Sequence, residues 1–147
     1  MIDGSFKITE TLAIHRYIAE KWNPELLGKT PEIRARVNQF AYVCHDLKMR
    51  CTMPCYQTAN GNETMKVYRD EEKGLKPMIK AMGSTKYLCG DDLTYVDFYF
   101  FEFLQLLIFA SDGKVLEEFP SLKTFNQNIK QVEGLKEYIQ EEDCPIP

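Results

Sequence analysis

Residues 2–18 read Ile2-Asp3-Gly4-Ser5-Phe6-Lys7-Ile8-Thr9-Glu10-Thr11-Leu12-Ala13-Ile14-His15-Arg16-Tyr17-Ile18. This order of residue types predicts a strand, a hairpin turn and the start of a helix. A ribbon of two strands is not stable alone in water. We therefore expect the ribbon to be the edge of a larger sheet, whose other strands would lie upstream of Met1.

The helical period dominates the rest of the chain and predicts a mostly α fold. A long helix should begin at Pro31, because apolar residues recur there at spacings of three and four. Its apolar stripe comprises Val37, Phe40, Ala41, Cys44, Leu47, Cys51 and Cys55. A polar turn at residues 57–62 should separate it from a second helical stretch, from Glu63 to Met82, with Gly74 and Pro77 as weak points or a kink.

The last third of the chain predicts one central helix and two closing helices. Residues 95–110 are apolar nearly all round, which is typical of a helix buried on every side. Its sixteen residues are too few to cross a bilayer, which needs about twenty. Residues 120–132 and 135–142 show amphipathic helical patterns divided by Gly134.

Composition excludes several classes of protein. The net charge is −4 and the basic residues are scattered, which argues against nucleic acid binding. Hydrophobic residues at 44% and charged residues at 27% are typical of a soluble globular protein. No signal peptide follows Met1. Five cysteines make an odd number, and free thiols in a reducing cytoplasm are the simpler interpretation.

Three segments resemble the cytosolic glutathione transferases, and the residues of these segments are most similar to those of the mu class. The hairpin, Glu10-Thr11 and the run Ala13-Ile14-His15-Arg16-Tyr17-Ile18-Ala19 resemble the end of the glutathione-binding thioredoxin-like domain. Gly90-Asp91-Asp92-Leu93-Thr94-Tyr95-Val96-Asp97 is similar to the family's Gly-Asp-x-Leu/Ile-Thr-x-x-Asp segment, and Phe119-Pro120-Ser121-Leu122-Lys123 is a third match. The matches follow family order and lack most of the N-terminal thioredoxin-like domain.

The resemblance implies a division of the chain. Residues 1–24 would be the hairpin and helix remnant of the thioredoxin-like domain. Residues 31–142 would form the all-helical C-terminal domain, and residues 143–147 a tail.

Glu10 and Thr11 lie where the strand passes into a helix. Unpaired amides at a helix start hold carboxylates, the Thr hydroxyl adds a donor, and the Glu carboxylate can pair with an ammonium. In the family the corresponding pair binds the γ-glutamyl end of glutathione; many mu-like members have Gln-Ser here. The alternative is an ordinary helix start with Thr11 as the cap and an acidic first turn.

Two residues of the long helix are further candidates by resemblance. Asp46 matches an interface Asp that reaches across the family's dimer to the partner's γ-glutamyl ammonium; alternatively it is an exposed carboxylate paired with Arg50. Tyr56 matches a Tyr that lines the electrophile pocket and can donate its hydroxyl proton. The alternative for Tyr56 is an aromatic side chain that ends a helix, with its ring packed.

Thr94 and Asp97 have the spacing of a capping box, with Asp in place of Glu. We interpret both as folding residues. His15, Cys44, His45, Cys51 and Cys55 invite a metal site, but their spacing does not match paired Cys-x-x-Cys ligands. We therefore expect no metal and no resident cofactor.

The leading functional hypothesis is a mu-like glutathione transferase, a cytoplasmic homodimer that conjugates glutathione, its co-substrate, to electrophiles in detoxification. None of the 147 residues corresponds to the family's thiolate-stabilising residue, so we expect an N-terminally truncated chain that is inactive alone. The alternatives are a non-catalytic transferase-like interaction module and a fragment that does not fold as a competent unit. No membrane partner is expected.

Overall fold

A computed structural model of the chain describes residues 1–58 and 66–140. It opens with an antiparallel hairpin of β1 (Ile2–Asp3) and β2 (Phe6–Lys7), in which Ile2 is opposite Lys7 and Asp3 is opposite Phe6. Gly4 in the turn has a φ of 60°, a conformation that glycine adopts without steric cost. The predicted hairpin is confirmed.

Helix α1 (Thr11–Trp22) is fastened to the hairpin by side chains. The Tyr17 hydroxyl donates to the Asp3 carboxylate at 2.8 Å, and the Lys21 ammonium forms an ion pair with the same carboxylate. The Phe6 and Tyr17 rings pack with their centroids 4.9 Å apart. Trp22 is 61% exposed, with the Lys21 ammonium 4.7 Å from its ring centroid.

A short 3-10 helix (Pro24–Leu27) and Gly28 lead into the long helix α2 (Pro31–Thr58). Gly28 has a φ of 101°, and a Cβ there would lie 2.7 Å from a side-chain carbon of Ile33, so only glycine fits. The predicted apolar stripe of α2 is confirmed, because these of its residues are buried: Val37, Phe40, Ala41, Cys44, Leu47 and Cys51. The Cys55 side chain lies outside the described residues.

The prediction of one helical stretch from Glu63 to Met82 is wrong in its middle, and Gly74, one of the two predicted weak points, is where the break ends. Residues 66–69 are helical, the chain then turns, and α3 (Leu75–Met82) is a separate helix. The break occurs at Gly74, where any Cβ would overlap the carbonyl oxygens of Tyr68 and Asp70. Pro77 lies in the first turn of α3, where the missing N–H costs no hydrogen bond. The predicted polar turn at residues 57–62 starts too early, because α2 continues to Thr58. The rest of that turn and the predicted helix at residues 63–65 lie outside the described residues.

Helix α4 (Tyr95–Ala110) is the centre of the bundle and packs against α1 and α2. The prediction that it is buried on every side needs correction, since Glu102 is exposed and Phe109 is 73% exposed. These two residues are seven apart, so they mark one narrow edge of the helix that faces solvent.

Three short helices close the bundle. They are α5 (Lys114–Glu118), α6 (Pro120–Ile129) and α7 (Leu135–Ile139). Helix α5 was not predicted, and an Arg69–Glu118 ion pair joins it to the helical residues 66–69. α6 ends at Ile129, before the predicted Val132, and residues 141–147, with the predicted tail, lie outside the described residues.

The bundle core is aromatic. Phe100 of α4 packs against Phe125 of α6 with ring centroids 5.3 Å apart. The predicted class, a mostly α bundle preceded by a hairpin and a helix, is confirmed. Across residues 1–58 and 66–140, no helix is both long and apolar enough to cross a membrane.

Candidate functional site

Glu10 has a strained backbone at the junction between the hairpin and α1. Its φ of 69° and ψ of 119° lie in a region that side chains with a Cβ avoid, at a cost of about 1–3 kcal/mol. Its carbonyl accepts from the Ile14 N–H at 2.9 Å, and its exposed side chain makes no capping hydrogen bond. Strain of this kind is common at ligand-binding positions.

Thr11 is the first residue of α1, and its side chain is exposed. Glu10 therefore occupies the capping position, and no acidic residue lies in the first turn. The alternative interpretation, a helix capped by Thr11 with an acidic first turn, does not describe this junction. The junction instead presents a carboxylate, a hydroxyl and the free amides of the first turn to solvent.

Asp46 lies on an exposed face of α2. The alternative interpretation paired Asp46 with Arg50, but Arg50 donates to the Lys73 carbonyl at 2.7 Å instead. In the described part of the chain, no ion pair joins Asp46 to Arg50. Large apolar side chains surround Asp46 at helical spacing, which places all of them on one face of α2. We call this the α2 outer face; with their exposed fractions, its members are Tyr42 (61%), Met49 (44%), Met53 (42%) and Tyr56 (86%), together with Asp46.

Tyr56 lies near the end of α2, beyond Pro54 inside the helix. At 86% exposure, its ring is not packed as the alternative interpretation required. Among the described residues, no hydrogen bond or ion pair connects Glu10, Thr11, Asp46 and Tyr56. Within one copy of the chain, the α1 start and the α2 outer face are thus two separate half-sites.

Sequence reasoning considered His15 and His45 only as metal ligands and missed that, through Tyr99, they connect the helices carrying these half-sites. His15, one turn after Thr11, packs edge-on against Tyr99 of α4 with ring centroids 5.4 Å apart. His45, which precedes Asp46, has its Nδ1 atom 2.8 Å from the Tyr99 hydroxyl oxygen. The signal was present, since the chain has only two histidines and each neighbours a candidate residue.

Charged groups surround this aromatic contact. The Lys48 ammonium lies 5.1 Å from the centroid of the Tyr99 ring and forms an ion pair with Glu102. Burial, and then the Lys48 charge, lower the pKa of His15 below 6.5, whereas Glu102 opposes the shift. Burial raises the pKa of Tyr99 to about 12, so its hydroxyl stays protonated at neutral pH.

Asp97 has a structural role at the start of α4. Its buried carboxylate accepts from the N–H of Leu88, the N–H of Thr94 and the Thr94 hydroxyl, each at 2.8 Å. Burial raises the pKa of Asp97 from 3.8 to about 6, although the hydrogen bonds from Leu88 and Thr94 oppose the shift. Asp97 therefore joins the residue-88 loop to the helix start.

Two clefts lie beside α3, and none of the four candidate residues lines either. The first, of about 320 Å³, includes Arg36 and Cys89; the second, of about 200 Å³, is lined mainly by apolar side chains of α2 and α3. Burial raises the pKa of Cys89 to about 12, so this thiol is not a nucleophile at neutral pH.

No group of three His, Cys, Asp or Glu side chains in residues 1–58 and 66–140 could hold a metal ion.

Comparisons of sequence match the chain to one family. A family model described as glutathione S-transferase, C-terminal domain, matches residues 45–142. The chain is 33% identical over 145 residues to the glutathione S-transferase class-mu 26 kDa isozyme 7 of Fasciola hepatica, covering 96% of the chain and 63% of that protein. It is 35% identical over 151 residues to the human glutathione S-transferase Mu 3, covering 100% of the chain and 64% of that protein. The chain thus spans less than two thirds of the length of these relatives.

Solved structures share the fold. NaGST-2 superposes with a TM-score of 0.72 at 24% identity, over 92% of this chain and 68% of that one. The glutathione S-transferase Blo t 8 superposes with a TM-score of 0.74 at 23% identity, over 96% of this chain and 66% of that one. The hairpin, α1 and the bundle therefore have the arrangement found in these proteins.

Proposed function

Because the chain belongs to the glutathione S-transferase family, we propose that it provides the γ-glutamyl-binding and electrophile-facing parts of a mu-like transferase. The reaction would join the thiolate of glutathione to an electrophilic carbon. The observation that carries the proposal is the strained, exposed Glu10 directly before Thr11 at the start of α1.

The α1 start matches the chemistry of an amino-acid head group. A carboxylate of the ligand can accept from the Thr11 hydroxyl and the free amides of the first helical turn, where the helix dipole also favours an anion. The adjacent ammonium can pair with the Glu10 carboxylate, which has no partner among the described residues. The γ-glutamyl end of glutathione has both groups.

The α2 outer face fits a homodimer. Three large side chains around Asp46, those of Tyr42, Met49 and Met53, are 42% to 61% exposed, and a second copy would cover them. A two-fold contact would be isologous and would place Asp46 near the partner's α1 start, as a second carboxylate for the ligand ammonium. Tyr56, at the end of this face, would donate a hydrogen bond to the electrophile. The family and the thiols Cys44 and Cys89 support a cytosolic location.

Calorimetric titration with glutathione tests the proposal. The parent should bind glutathione saturably and bind cysteinylglycine, which lacks the γ-glutamyl group, much less tightly. Glu10→Ala and Thr11→Val should each weaken glutathione binding about tenfold, since each removes a hydrogen bond to a charged group.

The control is Thr85→Val, which changes a hydroxyl that donates to the carbonyls of Met82 and Tyr87, far from α1. A folded parent that binds glutathione and cysteinylglycine equally would contradict the proposal. Such a result would favour the non-catalytic interaction module.

A further inference from the structure

One aromatic side chain of α4 touches both helices that carry the half-sites. Tyr99 is 4% exposed and contacts His15 of α1 through its ring edge. Its hydroxyl is in hydrogen-bond contact with His45 of α2. His15 also packs against Tyr95, with ring centroids 6.4 Å apart. The two imidazoles of the chain thus both contact one buried phenol.

The charged groups around His15 disfavour its protonation. On α2, the Lys48 ammonium already lies over the Tyr99 ring and repels a second cation. On α4, Glu102 is the acidic group among the described residues that favours a proton on His15, but it is paired with Lys48 and 56% exposed. A protonated His15 would therefore lie partly buried beside an existing cation.

The remaining neighbours of α1 do not offset this imbalance. On α1 itself, the adjacent residue is the cationic Arg16. The 3-10 helix packs against α1, and its charged residue, Glu25, does not contribute to the pKa of His15. Tyr95 and Tyr99 stay neutral, because burial raises the pKa of both. The phenols therefore add no negative charge that would hold a proton on His15.

We propose that His15, Tyr99 and His45 act together as positioning residues, fastening α1 to α2 and α4 while His15 is neutral and loosening α1 when His15 takes up a proton. We call the three residues the imidazole clasp. Because burial lowers the pKa of His15 below 6.5, the loosened or unfolded helix binds the proton more tightly than the docked helix. Docking of α1 is complete above pH 6.5 and weakens as the pH falls below that value.

The clasp would make the candidate ligand site sensitive to pH. Glu10 and Thr11 stand at the start of α1, one turn before His15. Loosening α1 would displace them from the bundle that carries Asp46. This consequence for glutathione binding rests on the proposed function, whereas docking of α1 does not.

Amide hydrogen exchange read by mass spectrometry tests the clasp without any ligand. Protection of the peptide spanning residues 11–22, corrected for intrinsic exchange chemistry, should fall between pH 7.5 and 5.5. The fall by pH 5.5 should be at most about tenfold, because the pKa of His15 in the loosened helix is near 6.5 and docking weakens by no more than a factor of ten for each pH unit below that value. His15→Phe keeps a ring against Tyr99 but cannot titrate, so its α1 protection should not change with pH.

The matched control is His45→Gln, since the chain contains only two histidines and this variant leaves His15 in place. It should show weaker α1 protection at both pH values and keep the fall. His15→Gln replaces the Phe variant if that one does not fold. The peptide spanning residues 95–110 is the internal reference for the bundle.

A parent whose α1 protection does not fall, or a fall that persists in both His15 variants, would overturn the proposal. Glutathione titrations run beside the exchange measurements separate the two hypotheses. If glutathione binds at neither pH while α1 shows the fall, the clasp stands and the proposed function fails.

Discussion

At the scale of the residue, Glu10 combines a strained backbone with an unsatisfied side chain. Its φ of 69° costs free energy, and no contact of its carboxylate with another described residue offsets that cost. The proposed ligand site would explain why glycine, the residue suited to such a φ, does not stand there. The sequence predicted the position of this junction from its residue types, but the strain depends on the path of the chain between hairpin and helix, which local patterns do not contain.

We predict that Glu10→Gly stabilises the fold and weakens glutathione binding. Relief of strain of about 1–3 kcal/mol exceeds the entropic cost of a new glycine, about 0.5–1 kcal/mol. The free energy of unfolding, measured by urea denaturation, should rise by about 0.5–1 kcal/mol. Glu10→Ala is the control, because it removes the carboxylate but retains the Cβ. If both variants have the same stability, Glu10 is not strained as described.

At the scale of the element, the sequence predicted a helix correctly where a single apolar stripe or a single capping pattern marks it. The stripe of α2 and the start of α4 at Thr94 are local features of the chain, and the structure has both. The break at Gly74 was predicted only as a weak point, because it results from crowding against Tyr68 and Asp70. Helix α5 was missed since its five residues are too few to show a helical period.

We predict that Asp97 makes the bundle less stable as the pH rises from about 4 to 6. Its pKa is about 6 in the folded protein and 3.8 in the unfolded chain, so the folded state binds more protons in this window. Stability contributed by the protonated form is lost as the pH rises, by about 2–3 kcal/mol in total.

The measurement for Asp97 is urea unfolding at several pH values, with Asp97→Asn as the comparison. The difference in unfolding free energy between the parent and Asp97→Asn should shrink as the pH rises from 4 and level off once the pH is above the folded pKa of about 6. Above that pH the variant should still be less stable by about 1–3 kcal/mol, since an amide cannot accept from all three donors, and at pH 4 the difference should be larger by about 2–3 kcal/mol. A difference that does not vary with pH would contradict the raised pKa.

At the scale of the whole molecule, the α2 outer face exposes large apolar side chains in a single copy of the chain. The candidate residues could be named from the sequence by resemblance, but their separation into two half-sites is visible only in three dimensions. In the proposed function, Asp46 and the α1 start bind one ligand although they belong to different surfaces. A second copy would bring such surfaces together, which is why we connect ligand binding with dimer formation.

We predict that Met49→Glu converts a homodimer to a monomer. A carboxylate at the centre of the α2 outer face would be buried without a partner on association. Sedimentation velocity at micromolar concentration should show a dimer for the parent and a monomer for the variant. Phe109→Glu is the matched control, because Phe109 is 73% exposed and lies on α4. A parent that sediments as a monomer, or equal effects of both substitutions, would contradict the proposed interface.

The single tryptophan of the chain gives α1 an optical signal of its own. Trp22 ends α1, is 61% exposed and lies 4.7 Å from the Lys21 ammonium, whereas seven of the eight tyrosines lie outside α1. Light that excites indole alone therefore reports on one helix. The wavelength and quenching of indole emission can follow that helix in real time and without a label, while tyrosine absorbance comes mainly from the rest of the chain.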